Sequence, residues 1–250
     1  MSTTAPPSNP VPTADASGSI GAELGPPAGW VGWLGLGALL FFLAAQAVGV
    51  LISPPDRDMG HLQKIMYVHV PAAWTAFVAF GVVFLASIIY LWKRSERADL
   101  VAASAAEVGT VLTGLTLALG SIWGKPTWGV WWTWDPRLTS TAILFVIFAG
   151  YLALRSFVED PDRRARWCAA VGILGALNVP IVYMSVQWWR TLHQLQSSPA
   201  TVDAPYALGL RLNAFAFLFI FLYLLARRYR AAKVERVIEV RRERRALEGE

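Results

Sequence analysis

The 250-residue chain is only 16% charged and 55% hydrophobic, with a net charge of +5 and a single cysteine. A soluble domain carries about 25% charge, and the apolar residues here gather into runs longer than 18, which excludes an ordinary globular protein and points to a polytopic helical membrane protein. Cys168 alone excludes an internal disulfide, a Cys-x-x-Cys metal or redox site and covalent haem attachment.

The first 29 residues hold six of the fifteen prolines and no Lys or Arg; they lack the basic start of a signal peptide and are expected to form a disordered tail. Six apolar runs are then long enough to cross a layer of about 30 Å at 1.5 Å per residue: 30–53, 68–92, 100–124, 138–154, 167–189 and 206–226. All are expected to be helices, because lipid offers backbone groups no other partner.

With six spans both termini share a side. The connections after spans two and four and the C-terminal tail carry 16 basic residues, against five (Arg57, Lys64, Lys125, Arg137 and Arg190) in the other connections. The positive-inside rule then places both termini in the cytoplasm and the connections after spans one, three and five outside. This distribution accounts for the basic pI without nucleic acid as a partner. The tail 227–250 interleaves Arg with Glu235, Glu239 and Glu243 at helical spacing and reads as a charged cytoplasmic helix near anionic membrane lipid. Glu107 is an intramembrane acid and thus a functional candidate by default, or a group that simply reaches the interface. Arg211 is expected either to snorkel outward or to reach toward a ligand, and Asn178 with Pro180 to mark a kink in span five.

All three histidines, His61, His69 and His193, fall at the outer side, as does W-G-K-P-T-W-G-V-W-W-T-W-D, residues 123–135, with five of the twelve tryptophans. Interfacial tryptophan is ordinary in membrane proteins, but that accounts for one or two per span end, not five in one loop broken by Gly and Pro. Trp128, Trp131 and Trp132, with Asp135 nearby, are expected to share one face of a short helix, a flat apolar surface for a large planar ligand. His69 stands just before Pro71 at the mouth of span two, and His193 is one turn past Trp189 if that helix continues. For a lone external histidine the default is a solvated or structural role, and His61, in a hydrophilic stretch, keeps it. Two neutral imidazoles converging on one aromatic platform have a specific use, axial ligation of haem iron on both porphyrin faces. Lys125, Arg137 and Arg190 are the nearest cations for the propionates. A two-histidine Zn or Cu site competes, although Zn wants three or four ligands and would leave the tryptophans without purpose.

The run W-G-K-P-T-W-G-V-W-W-T-W-D-P-R-L-T-S (123–140) resembles the tryptophan-rich WWD signature of the haem-handling proteins of cytochrome c maturation. Y-V-H-V-P-A-A-W (67–74) and N-V-P-I-V-Y-M-S-V-Q-W-W-R-T-L-H-Q (178–194) are similar to the segments around the two external histidines of the CcmC family. The resemblance covers about residues 30–226. It implies that His69 and His193 are axial ligands of a non-covalent, transiently held haem b, that Trp123, Trp128, Trp131, Trp132, Trp134 and Asp135 form its external platform with Lys125 and Arg137, and that the protein is a haem-transfer component of the bacterial inner membrane without conventional catalysis. It further implies delivery to the haem chaperone CcmE, with CcmD and the ABC-type CcmA and CcmB as partners. The larger CcmF and CcsA relatives share the signature but have more spans and four relevant histidines. A cytochrome b-type electron carrier is the second reading, though its histidines belong inside the spans; a cofactor-free solute transporter is the third, hinted at only by Asn178 to Pro180.

Overall fold

The computed structural model describes residues 29–194 and 201–248, so the tail expected over 1–29 lies outside the described residues except for Gly29, which opens the first helix. Among them the regular structure is helical throughout: α1 (Gly29–Ala47, extended by a π turn Val48–Ile52), a 3₁₀ turn (His61–Ile65), α2 (Met66–Lys93), α3 (Glu96–Trp128), α4 (Pro136–Phe157), α5 (Pro161–Ala176), α6 (Asn178–Trp188) and α7 (Ala204–Glu248). Among the described residues six helical segments are long and apolar enough to cross a membrane, with α5 and α6 forming one of them. The chain is an all-α polytopic membrane protein.

Small residues set the packing. Ala72, Ala76 and Ala79 on α2 and Ala102, Ala105 and Ala106 on α3 are buried, so the two backbones approach closely, as in small-residue membrane interfaces. A Cβ at Gly109 would lie 2.8 Å from Phe80 Cε1. Phe80 in turn stacks on Phe148 of α4, centroids 3.8 Å apart. α1 packs on α7 at the edge of the bundle, where the buried Asn213 amide donates to the Ala45 and Gly209 carbonyls and its Oδ1 accepts from Gln46 Nε2. Such bonds substitute for water that lipid does not supply.

Chain-terminating chemistry falls where turns are needed. Ser95 caps α3, accepting from Ala98 N, while Asp135 and Asp160 cap α4 and α5, each followed by a proline at the first helical position. The break between α5 and α6 comes at Leu177, and Asn178 Nδ2 donates to Ser140 O at 2.8 Å, so the expected kink in span five is tied across to α4. Two expected boundaries differ. Pro71 does not open span two, since α2 starts five residues earlier at Met66 and tolerates the missing N–H. The sixth span and the charged tail form one helix of 45 residues, its lower part joined to the bundle by Arg236–Glu96 (2.7 Å), Arg164–Glu239 (3.0 Å) and Arg228–Glu107. Glu107 is thus an ion-pair partner, and Arg211 is exposed.

Candidate functional site

The connections before α2, after α3 and after α6 meet at one end of the bundle. α3 stops at Trp128 because Gly129 takes the left-handed conformation (φ 80°) and returns its N–H to the Lys125 carbonyl, while Lys125 Nζ donates to Gly129 O at 2.9 Å. The expected short helix over Trp128 to Asp135 therefore does not form. Trp131, Trp132 and Trp134 lie on an irregular loop, with Trp134 80% and Trp131 59% exposed, and Trp132 packs edge-on against Trp134. Likewise α6 ends at Trp188, so His193 sits on a non-helical segment and not one turn further along a helix.

That segment is held by Asp135. Its Oδ2 accepts from Thr191 Oγ1 (2.6 Å) and Leu192 N (2.7 Å), and its Oδ1 from Arg137 N (2.9 Å). Burial acts to raise the Asp135 pKa, but the donors from Thr191, Leu192 and Arg137 and the nearby His193 outweigh it and hold the carboxyl below the usual carboxylate range. One carboxylate thus caps α4 and fixes the two residues that precede His193. His193 Nδ1 is 3.5 Å from Asp135 Oδ1 in a geometry that makes no hydrogen bond.

His69 reaches the same place from α2. Both imidazoles line two adjoining cavities, of about 170 Å³ and 60 Å³, that also share Ala73, Gly120 and Arg137. Trp123 and Trp128 wall the larger, and Trp132 covers the smaller, which continues into the bundle past Ala76, Thr113 and Val182. Each imidazole meets a tryptophan edge-on, His69 with Trp123 (5.8 Å) and His193 with Trp128 (4.9 Å). Glycine makes the room: a Cβ at Gly120 would lie 3.1 Å from His69 Cε1, and one at Gly124 3.1 Å from Trp128 Cε3. The Nδ1 atoms of His69 and His193 and the Trp123 indole nitrogen are buried without a hydrogen-bond partner among the described residues. Burial, then the charge of Arg137, push the His193 imidazole down to about 4; it is neutral at physiological pH and keeps an unshared pair for a metal.

A family model described as "CcmC: Heme exporter protein C" matches residues 26–245. The chain belongs to the CcmC family. It is 44% identical over 170 residues to Heme exporter protein C of Bradyrhizobium diazoefficiens, covering 68% of this chain and 63% of that protein. With Heme exporter protein C of Escherichia coli K12 the identity is 36% over 167 residues, 66% of this chain and 68% of that one. A "Putative cytochrome c biosynthesis ccmC-like mitochondrial protein" of Marchantia polymorpha is 39% identical over 160 residues, 63% and 67% of the two chains. The match thus spans a little under two thirds of the Bradyrhizobium protein's length.

In this CcmC-family chain the structure gathers His69, His193, Trp123, Trp128, Trp132 and Arg137 around the cavities and leaves other expected residues outside them. Lys125 is spent on the end of its own helix, and Arg190, His61, Trp131 and Trp134 are exposed and line neither cavity. Among the described residues no three His, Cys, Asp or Glu side chains cluster as a metal site. Two imidazoles fall short of a zinc centre, whereas a macrocycle that brings four nitrogens of its own needs only two more. Sequence reasoning missed Thr191, Gly120, Trp74 and Met59, whose relevance depends on contacts between distant segments; the Asp-Pro step after the tryptophans was a readable signal for the Asp135 cap. At the opposite end a crevice of about 1100 Å³ is lined by six arginines and six acids, most joined in ion pairs; with no net charge and no histidine it offers nothing comparable.

Proposed function

We propose that this protein holds haem b non-covalently at the Trp-rich end of its bundle and passes it to an acceptor for cytochrome c maturation. The observation that carries this reading is the pairing of His69 and His193: two half-buried imidazoles, one on α2 and one on the segment after α6, each with a buried, unbonded ring nitrogen, each against a tryptophan, facing shared cavities. They are the axial iron ligands. Trp123, Trp128 and Trp132 bind the porphyrin faces and exclude water, Asp135 positions His193, and Arg137, beside both histidines, receives propionate charge. The only cysteine, Cys168, is buried against the Tyr151 carbonyl, which supports non-covalent, transient holding.

Release follows from the same design. The cavities are smaller than the ~300–1,000 Å³ that encloses a drug-sized ligand, so the porphyrin is only partly enclosed and one edge stays accessible beside Trp131 and Trp134. Since the two ligands belong to different spans, a small displacement of α6 relative to α2 weakens both bonds. The family relationship supports CcmE as acceptor, with CcmD, CcmA and CcmB as associated proteins, and action by ligand exchange without catalysis. The excess of Lys and Arg at the other end supports a bacterial inner-membrane orientation with both termini cytoplasmic and the haem site periplasmic.

The test is the absorbance spectrum of the protein purified from haem-replete membranes. A Soret band is expected in the parent and in His61→Ala, with loss or a shift in His69→Ala and His193→Ala. A parent without the band, or equal loss in His61→Ala, refutes the assignment.

A further inference from the structure

Between α1 and α2 the chain makes a turn closed on itself. Asp56 N donates to Gly60 O (3.1 Å) and Gly60 N to Asp56 O (3.0 Å), while Asp56 Oδ1 accepts from both Asp58 N and Met59 N at 2.9 Å. Gly60 adopts φ 57° and ψ −135°, a conformation that only glycine takes readily. The two backbone donors hold the Asp56 carboxyl below its ordinary range, and Met59 O accepts from Leu62 N at 3.2 Å. Both backbone groups of Met59 are therefore committed, and its side chain leaves the turn in one direction. That direction is the larger cavity, which Met59 lines together with His69, Trp123, Trp128, Arg137 and His193.

A methionine half-buried between Asp58 and Gly60 has no core of its own to fill: none of the buried apolar clusters among the described residues includes it. A thioether is flexible, polarisable and suited to lying against a flat aromatic surface. The turn's internal bonds add rigidity that a mere connection does not need, and they are spent at the residue that faces the cavity.

We propose that Met59 is a porphyrin-contacting residue, the wall of the cavity contributed by the connection between α1 and α2, and that the Asp56–Gly60 turn serves to seat it. This rests on the reading of the cavity as a haem site. Met59 adds contact area and shields the cavity on the side that neither the tryptophan loop nor the His193 segment covers. Its removal speeds haem loss while leaving the iron bonded to both histidines.

The experiment uses the full chain in detergent, with Met59→Cys and Asp58→Cys compared for maleimide labelling before and after haem loading; Cys168 is fully buried and provides the unreactive background. Haem is expected to slow labelling of the Met59→Cys thiol at least about tenfold and to leave the Asp58→Cys thiol unchanged. In parallel, Met59→Ala and Asp56→Ala are each expected to release haem about tenfold faster with unaltered band positions, as one lost apolar contact implies, and Met59→Leu to restore most of the retention. Equal labelling at position 59 with an intact Soret band overturns the contact while sparing the haem site. A parent chain that takes up no haem overturns both.

Discussion

Replacing Asp135 by alanine tests how the His193 segment is held. The substitution removes the cap of α4, worth about 1 kcal/mol, and the two bonds to Thr191 and Leu192. Hydrogen bonds to a charged group contribute about 1.5–3 kcal/mol each, but Leu192 is 52% exposed and water replaces part of what is lost. The low end applies, about 3 kcal/mol for the pair, or about a 100-fold fall in the ratio of held to displaced segment. His69 is untouched, so under the proposed ligation one imidazole remains for the iron. The expected spectrum of Asp135→Ala is a mixture in which a five-coordinate, high-spin component appears, and added imidazole restores the low-spin form. Asp135→Asn, whose single side-chain oxygen can accept for the cap or for the loop but not for both, is expected to show an intermediate change of about tenfold. Circular dichroism checks that α4 persists. An Asp135→Ala protein with the parent's spectrum and haem content refutes the positioning role.

The tryptophans divide by exposure: Trp128→Ala is expected to lower haem content, whereas Trp131→Ala and Trp134→Ala lower haem passed to the acceptor with content nearly kept, measured on both proteins in the same membranes; parallel loss in all three contradicts the division. Gly120→Leu drives a side chain into the His69 ring and is expected to abolish the Soret band, with Gly120→Ala giving a partial shift. Arg155→Leu leaves Asp99 unpaired where the two side chains are 13–17% exposed, and about 3 kcal/mol of destabilisation follows, read as a lower unfolding temperature in detergent; Asp99→Asn with Arg155→Leu together should cost less than the sum. A reporter active only outside the cytoplasm is expected to be active after Val130 and inactive after Ser95 or Arg163, and activity after Ser95 reverses the orientation.

The spans were legible because hydropathy and length are local properties, and the six observed helices overlap all six expected segments. His69 and His193 were legible as a pair for a different reason, since the chain has only three histidines and the third, His61, stands in a hydrophilic stretch. The face shared by Trp128, Trp131 and Trp132 was misjudged: spacing alone does not reveal that Gly129 ends α3, although a glycine after a lysine-bearing turn is the usual helix stop. The continuous α7 was divided at Arg227 because hydropathy changes there while helix propensity does not. Lys125 and Arg137 look equivalent as cations in the sequence; the fold separates them, the first folding back onto its own helix and the second entering the cavity. Thr191 and Met59 carry no sequence signal, because their partners are Asp135 and a cavity assembled from three other segments.

α3 reaches from one rim of the bundle to the other without interruption. Its first residue, Glu96, grips the arginine-rich arm through Arg236, and its last turns carry Gly120, Trp123 and Trp128. A rod of 33 residues is about 50 Å long, so a tilt of about 2° about one end carries the other through roughly 1.7 Å. That exceeds the tolerance of about 0.5 Å within which a ligand constellation stays productive. The tryptophan-rich end of the molecule is mechanically within reach of anything that leans on the arm at the opposite end of the bundle.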